Sequence, residues 1–522
     1  MSSPSSRACA HVAPSREEFS CDVPLLYRCR TSRVDMNLGE RIRGGTKWLL
    51  AGNLGGQVLQ FVFGIILARL LAPSVFGALI IIQIYTGLAG FVTGGGTGVA
   101  LVQSRNVERH HFDVVFTIQL AMGCMIYLAF FSVAPWFAEW YHNPLYIDLF
   151  RVSALNFILR PFVNVPNARL QREMRFREMA TLSVTALAFT GSVSIGLARG
   201  GWGVWALVIG GLAGSAFNAI FSLAMTKWLP RLKFDALVVR QMGLFGLKVN
   251  ITDILTYLRD QSSNFIVSRT MTPSAIGLYN KADSLSRIPA STVSNAAYQT
   301  VFRALVEVQD NRDRSRYIYF RTLSLVLVYT VPFYAGLFWL AEPFIHVVFG
   351  EKWDDAALPL QILAVAGLVF GIENISGAVL AARDQLTREI WVQIESWIVL
   401  VGFTLVGIRW GISGVAVAMV IQRFYISFRM FMLATRSVGG GVADLARAFV
   451  PGAILGALVF CSLLAGNLIV KSWAVAPSQV VYLAIMVLFG GAIYAGAFLF
   501  LPIRALGSES LRWKRILRIA KD

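Results

Sequence analysis

The sequence predicts an all-α integral membrane protein of about fourteen transmembrane helices. They are expected to form two pseudo-symmetric six-helix lobes around a central cavity, with two further helices at the C-terminal end. Three observations carry this. Of 522 residues, 56% are apolar and only 15% charged, with a mean hydropathy of +0.61; soluble domains carry about 25% charged residues. Apolar runs of roughly 20 residues, the length that crosses a hydrocarbon core, recur along nearly the whole chain. The third is an internal repeat.

Taken in order, residues 1–36 are polar, hold Cys9, Cys21 and Cys29, and lack the apolar core of a signal peptide. They are expected to lie outside the fold, as a disordered tail or as a mis-assigned extension ahead of a start at Met36. The first lobe, 37–240, holds spans near 46–69, 76–101, 113–138, 146–166, 178–198 and 203–226. The second, 241–436, holds spans near 242–268, 276–302, 318–341, 357–381, 389–408 and 412–433. The segment 437–522 adds spans near 449–470 and 479–502, then the basic amphipathic stretch Leu511–Lys521, expected along an anionic membrane surface. Backbone inside lipid must satisfy its own hydrogen bonds, so spans of this length mean helices rather than a barrel.

The net charge of +18 has a topological explanation. With the N-terminus cytoplasmic, the inner loops carry nineteen Lys and Arg, including Arg172, Arg175, Arg314 and Arg316, against six in the outer loops. That asymmetry predicts both termini in the cytoplasm. It also removes nucleic acid as a partner, because the basic residues gather on no soluble face. The five cysteines show no zinc spacing, so neither a structural metal nor a disulfide is expected. No cofactor is expected, and no catalytic residues, since every outer loop is too short to hold an enzyme site.

The repeat is legible letter by letter. Ile66, Arg69, Pro73, Ser74 and Gly77 recur 200 residues later as Ile266, Arg269, Pro273, Ser274 and Gly277. Arg172, Arg177 and Glu178 recur at an offset of 211 as Arg383, Arg388 and Glu389, and Trp202-Gly203 at 208 as Trp410-Gly411. Six spans per half is an even number, so both halves enter from the same side and an axis along the membrane normal relates them. Paired bundles about a cavity are the architecture of alternating access, which favours a transporter over a channel or a membrane enzyme.

The seventh span carries the most chemistry. Asn250, Asp253, Tyr257, Asp260 and Asn264 recur at spacings of three and four, on one helical face, with Arg259 beside them. The eighth repeats the design with Asn280, Asp283, Arg287, Ser291, Ser294 and Tyr298, flanked by Lys281. A charge in the middle of a membrane helix costs about 2.5–3.5 kcal/mol, so these groups must face water or one another. The plainer alternative is that Arg259–Asp260 and Asp283–Arg287 are ion pairs tying helices together. At the 200-residue offset the stripe falls on Asn53, Gln57, Gln60 and Gly64, polar but uncharged. The expectation is a cavity whose charged groups belong mainly to the second half.

Weaker signals point elsewhere. Gly94–Gly98 lacks the Lys-Ser/Thr ending of a phosphate loop and fits close helix packing better. His110 and His111 read as a solvated pair, and Asp354-Asp355 has no soluble domain around it that would make a sugar-nucleotide site. Arg151 and Arg160 are candidate cavity residues.

Several stretches resemble one family in order along the chain. Leu67-Ala68-Arg69 leads to Pro73 and Phe76-Gly77, then come Gln103, Arg172-Glu173-Met174-Arg175-Phe176 and Gly277-Leu278-Tyr279-Asn280. Most specific is Val348-Phe349-Gly350-Glu351-Lys352-Trp353, followed by Pro359, Leu360-Gln361 and Leu363. This pattern resembles the polysaccharide transporters of the multidrug/oligosaccharidyl-lipid/polysaccharide flippase superfamily, in particular the lipopolysaccharide-repeat and colanic acid exporter-like branch. Two departures are the missing acidic residue near Gly94 and the extra charge at Arg259-Asp260.

The resemblance implies a flippase of the bacterial inner membrane that moves undecaprenyl-pyrophosphate-linked oligosaccharide to the periplasmic leaflet, with proton or sodium coupling. Its implied partners are the lipid-linked oligosaccharide, membrane lipids, and a polysaccharide polymerase with its chain-length machinery. Under that reading Arg259, Lys281 and Arg287 contact the pyrophosphate, and Asp253, Asp260 and Asp283 hold coupling ions. Asn250, Tyr257, Asn264, Asn280, Gln57 and Gln60 hydrogen-bond sugar hydroxyls or line the cavity. Rival readings are a cation-coupled small-molecule exporter of the same superfamily, a lipid II flippase and a membrane-embedded sugar polymerase.

Overall fold

The computed structural model describes residues 31–93, 95–104, 107–472, 478–501 and 507–516, with backbone alone for 31–47 and 244–252. The expectation for residues 1–36 lies largely outside these; its last six residues open the first helix. The helices are α1 (Thr31–Leu70), α2 (Pro73–Val92), α3 (Gly95–Gln103), α4 (Arg109–Trp140), α5 (Leu145–Arg172), α6 (Phe176–Arg199) and α7 (Val204–Thr226). There follow α8 (Ala236–Thr270), α9 (Pro273–Glu307), α10 (Arg312–Phe349), α11 (Ala357–Ala382), α12 (Leu386–Gly407) and α13 (Gly411–Val438). Outside the repeat come α14 (Val442–Lys471), α15 (Gln479–Phe500) and the short α16 (Gly507–Ile516) in the basic tail.

Each span expected from the sequence falls on one helix, except the second, which is divided between α2 and α3. Among the described residues, ten helical stretches are long and apolar enough to cross a membrane, one of them running through both α12 and α13. Helices α5, α8 and α9 are not among the ten. The latter two carry the polar stripes, whose charge sets them apart from the ten apolar stretches.

The repeat reappears as backbone geometry. Pro73 and Pro273 each stand in the first turn of their helices, where the missing N–H costs nothing. Gly203 (φ 53°) and Gly411 (φ 67°) take the left-handed backbone that turns the chain into α7 and α13, which explains the repeated Trp-Gly. The α5–α6 and α11–α12 turns each contain one left-handed residue, Met174 (φ 54°) and Asp384 (φ 54°). By that residue the halves align at 210, one less than the letter match. Arg172 therefore ends its helix while Arg383 lies just past its own. Arg172 caps α3 by donating to the Leu101 carbonyl (3.0 Å), whereas Arg383 donates to Ser315 Oγ at the start of α10 (3.2 Å).

Helix pairing repeats too. In the first half α5 packs on α4 and α7, and α6 on α7; in the second α11 packs on α10 and α13, and α12 on α13. Helix α8 departs from the scheme. Its counterpart α1 lies along α6, but α8 touches α12 only lightly and packs chiefly against α2 and α3 of the other half. The extra helix α14 packs on α10, and α15 on both. In the linker ahead of α8, Asp235 caps that helix and takes His110 Nε2 at 3.0 Å, while the Lys233 amide donates to Thr117 Oγ1 (3.0 Å). His110 thus has a hydrogen-bond partner in Asp235, beyond the solvated role expected of it.

The bundle is joined at one end and divided at the other. Where α1 turns into α2 and α8 into α9, one apolar cluster draws on both halves, with Ile81, Phe137, Leu149, Tyr279, Trp353 and Met419 among its buried members. At the opposite end Phe116, Trp228 and Met242 form one cluster, and Tyr319, Leu327 and Phe431 form another. The most family-specific stretch builds the joined end. Trp353 Nε1 donates to the Ala68 carbonyl (2.8 Å), and Arg69 donates to the Val348 carbonyl (3.0 Å) and to Val347, covering the last carbonyls of α10. Gly350 (φ 93°) supplies the left-handed step between α10 and the single turn that carries Trp353.

Candidate functional site

The chemistry lies where α8 and α9 face α11, α12 and α13. Arg259 donates to Asp260 Oδ1 through Nε (3.0 Å) and Nη2 (2.9 Å), and to Gln393 Oε1 of α12 (2.7 Å). One turn apart on α9, Arg287 Nε donates to both oxygens of Asp283 at 2.9 Å. Arg423 of α13 donates to Glu373 of α11 at 2.9 Å, with only 16% and 17% of the two side chains exposed. A pocket of 40 Å³ touches Arg259, Asp260, Arg287, Glu373 and Arg423, and an adjoining one of 20 Å³ shares Arg287 and Arg423. Three guanidinium groups and three carboxylates thus form three ion pairs clustered around adjoining pockets, the pairing offsetting the cost of charge inside the bundle.

Alongside α9, Tyr334 of α10 completes the backbone at Pro289. Its hydroxyl donates to the Ser286 carbonyl (2.7 Å) and accepts from the Ala290 amide (3.2 Å), the amide–carbonyl pair that a regular helix joins directly. Proline crowds and interrupts this ladder. A Cβ on Gly367 would come within 2.1 Å of the Tyr334 ring, so that glycine makes the ring's place.

A roomier cavity, 460 Å³, lies between the halves. Gln83, Asn156 and Arg160 line it from the first half, Tyr257, Gln261 and Asn280 from the second. Arg160 Nη1 reaches Thr93 Oγ1 (3.3 Å), and the side chain fits because residue 90 is glycine, where a Cβ would lie 2.2 Å from the guanidinium. Among the described residues no carboxylate pairs with it. The first half therefore contributes a cation to a cavity whose charge was expected mainly from the second.

Not every expected site residue gathers there. Lys281 sits at the joined end, its ammonium 4.8–5.2 Å from the rings of Phe76, Phe349 and Trp353, away from Arg259 and Arg287. Tyr257 shares its hydroxyl proton with the Gln83 (2.9 Å) and Ile84 (3.1 Å) carbonyls, against Gly87, and so bridges α8 to α2. Asn264 is buried and donates to Gln261 Oε1 (2.8 Å). Asp253 is half-buried and joins no ion pair among the described residues. Gln57 and Gln60 are exposed on α1 and absent from the lining of the cavity between the halves; the side chain of Asn250 lies outside the described residues. Arg151 stacks over Phe131 at 4.0 Å instead of reaching the cavity.

Glu373, Gln393 and Arg423 belong to the network without having been singled out in the sequence. The available signal was their position: Glu373 and Arg423 are ionised residues within otherwise apolar spans, the same criterion that identified Asp260 and Arg287.

Comparison with known proteins agrees with this architecture. Over residues 66–358 the chain matches the family model described as "Polysaccharide biosynthesis protein". It is 23% identical over 357 residues to the lipopolysaccharide biosynthesis protein WzxC of Escherichia coli, covering 67% of this chain and 72% of that one. It is 27% identical over 319 residues to the succinoglycan biosynthesis transport protein ExoT of Rhizobium meliloti, covering 61% and 65%. Among solved structures, the fold is similar to the lipid II flippase MurJ in an inward closed conformation, with TM-score 0.69, 13% identity, and coverage of 85% of this chain and 96% of that one. It is also similar to an inward-facing multidrug resistance transporter of the MATE family, with TM-score 0.58, 16% identity, and coverage of 75% and 96%. With more than half of its length matched by one family model, this chain is a member of the polysaccharide biosynthesis protein family of membrane transporters.

Proposed function

We propose that this protein is a flippase that moves undecaprenyl-pyrophosphate-linked oligosaccharide repeat units across the bacterial inner membrane by alternating access, supplying surface polysaccharide synthesis. The observation that carries the reading is the chamber between the halves, in which Arg160 faces a polar cavity with no carboxylate partner among the described residues. A desolvated guanidinium there offers a fork of donors to a phosphate oxygen. A drug-like cation would want a carboxylate in the chamber instead, whereas among the described residues that line it there is no aspartate or glutamate, and Asp260, Asp283 and Glu373 outside it are each held by an arginine. That contrast favours a lipid phosphate over a small cationic substrate.

Coupling follows from the same network. A pyrophosphate that draws Arg259 and Arg287 from Asp260 and Asp283 frees those carboxylates for the coupling proton or sodium ion. Releasing the phosphate restores the pairs and displaces the ion. Under this reading Lys281, boxed by aromatic rings, belongs to the gate at the joined end and not to the phosphate site. The loop charges put that end at the periplasmic face and both termini in the cytoplasm. A polymerase and its chain-length machinery would receive the product.

The test is complementation of a strain lacking this protein. Arg160→Ala, Arg259→Ala and Arg287→Ala, each inserted at normal level, should abolish surface polysaccharide and leave lipid-linked repeat units in the cytoplasmic leaflet. Normal polysaccharide from all three sinks the reading.

A further inference from the structure

A further cavity belongs to neither the charged pairs nor the chamber between the halves. It is a cup of 1360 Å³ at the joined end of the second half, ringed by the α8–α9 turn, the end of α10, the start of α11, the α12–α13 turn and the start of α15. We propose that this cup is a glycan-binding site, which takes the oligosaccharide portion of the substrate as it leaves through the joined end. The proposal deepens the transport reading and rests on it for the identity of the glycan, though not for the chemistry of the cup.

The lining is what a polyhydroxylated ligand needs. Trp339, Trp410 and Tyr482 present aromatic surfaces, and Glu342, Asp354 and Asp355 present carboxylates. Ionised carboxylates only accept hydrogen bonds, and sugar hydroxyls donate them; Gln361 and Gln479 add amides that do both. Among the described residues no lysine or arginine lines the cup, so its charged lining is opposite in sign to Arg160 and suits the glycan rather than the pyrophosphate end of the same substrate. Its volume exceeds the roughly 300–1,000 Å³ of a typical small-molecule pocket, which suits several sugar rings in a row.

The aromatics are held before any ligand arrives. Trp339 packs edge-on against Phe460 of α14, with ring centroids 5.3 Å apart, and the Tyr482 hydroxyl donates to Asn467 Oδ1 of α14 (3.0 Å). His346 Nδ1 lies 3.0 Å from Asp354 Oδ2 and orients that carboxylate. Trp410 is 69% exposed on the rim, a large ring with little intramolecular cover. The two helices outside the repeat thus acquire a purpose: α14 fixes two aromatic walls, and α15 contributes Tyr482 and Gln479. The cup also abuts the seal directly, since Leu278 and Ala357 line it and belong to the apolar cluster that joins the halves.

Binding is measured on the full chain in nanodiscs, by tryptophan fluorescence and calorimetry. Two probes are used: the repeat-unit oligosaccharide cut free of lipid from the host's own surface polysaccharide, and neutral cellohexaose. The host oligosaccharide should bind saturably. Trp410→Ala and Glu342→Gln should weaken it about tenfold, or ~1.4 kcal/mol, Trp410→Phe should retain most of the affinity, and Arg160→Ala should bind as wild type. Unchanged thermal melting of the variants excludes unfolding as the cause. The proposal is overturned if neither probe binds saturably, or if Trp410→Ala and Glu342→Gln bind as tightly as wild type. Normal export by the three arginine variants above would sink the transport reading alone and leave this binding result standing.

Discussion

Gly77 and Gly277 are equivalent residues in the two halves, and each lies against the other half's proline. A Cβ on Gly77 would stand 1.7 Å from the Pro273 carbonyl oxygen, and one on Gly277 would stand 2.1 Å from that of Pro73. The contact is backbone to backbone across a pseudo-twofold axis, and neither partner is a flexible side chain that could step aside. Alanine at either position must push α2 and α9 apart exactly where the bundle is sealed. Gly77→Ala and Gly277→Ala should therefore shift the population toward a form open at this end and reduce transport. Cysteine accessibility near Ala78 and Leu278, both buried, should rise in the variants. Unchanged labelling would show that the helices absorb the methyl without opening.

The second prediction concerns Trp353. It is fully buried, and its indole holds the Ala68 carbonyl across the boundary between the halves. Trp353→Phe keeps an aromatic ring near Phe76 and Lys281 but removes the donor, a loss worth about 0.5–1.5 kcal/mol. Because the bond spans the joined end, the loss should favour its opening. The result should be a faster opening rate, read by single-molecule distance measurement across α2 and α9, with little change in protein yield.

Much of this end was legible in the sequence. The repeated Arg-x-x-x-Pro-Ser-x-x-Gly marks the two helix turns, and the Phe-Gly-Glu-Lys-Trp stretch marks the seal, because turns and tight approaches demand particular residues. What the sequence could not give was direction across helices. Tyr257 shares the polar face of α8 with Asp253 and Asp260, yet its long ring reaches α2 and bonds to backbone instead of standing free in the cavity. Lys281 differs from Asp283 by two positions, enough to turn it from the charged network to the aromatic seal. Periodicity assigns a residue to a face; only packing decides what that face meets. The partners Glu373, Gln393 and Arg423 lie more than a hundred residues from Arg259, where local spacing carries no information.

Tyr334 gives the third prediction. Its hydroxyl serves the Ser286 carbonyl and the Ala290 amide beside Pro289, so Tyr334→Phe strips a partner from two buried backbone groups. The cost should be about 1–3 kcal/mol. Since Arg287 lies within this turn, the variant should impair transport more than Tyr319→Phe, which loses one bond to Ser376 in the other apolar cluster. Equal impairment would mean that the opened turn of α9 has no special part in transport.

The Arg423–Glu373 pair separates structure from function. Removing one member of a buried pair leaves an uncompensated charge, so Arg423→Ala should destabilise the protein by about 3–5 kcal/mol. Replacing both by apolar residues, Arg423→Met with Glu373→Leu, removes both charges together and should recover most of that stability. If the network moves protons against phosphate, the double variant will be stable and still inactive. A stable double variant with normal polysaccharide output would reduce the pair to a structural tie.

The last prediction is the pH response of the linker between the halves. The His110 ring nitrogen beside Asp235, with help from the Leu237 amide, holds this carboxyl below its ordinary 3.8. A depressed value in the folded state means that the ionised form carries the contact. Its contribution is complete above about pH 4 and is lost as the pH falls through the depressed value. Hydrogen exchange at the Leu237 and Val238 amides, which Asp235 caps, taken relative to each amide's intrinsic rate at the same pH, should stay slow at neutral pH and accelerate only in acid. Asp235→Ala should show the fast exchange at every pH, because it loses the cap and the His110 contact together. Asp235→Asn keeps an oxygen for the cap but cannot ionise, so its exchange should be intermediate and flat across that acid range. An acid-induced acceleration surviving in Asp235→Asn would place the titrating group elsewhere.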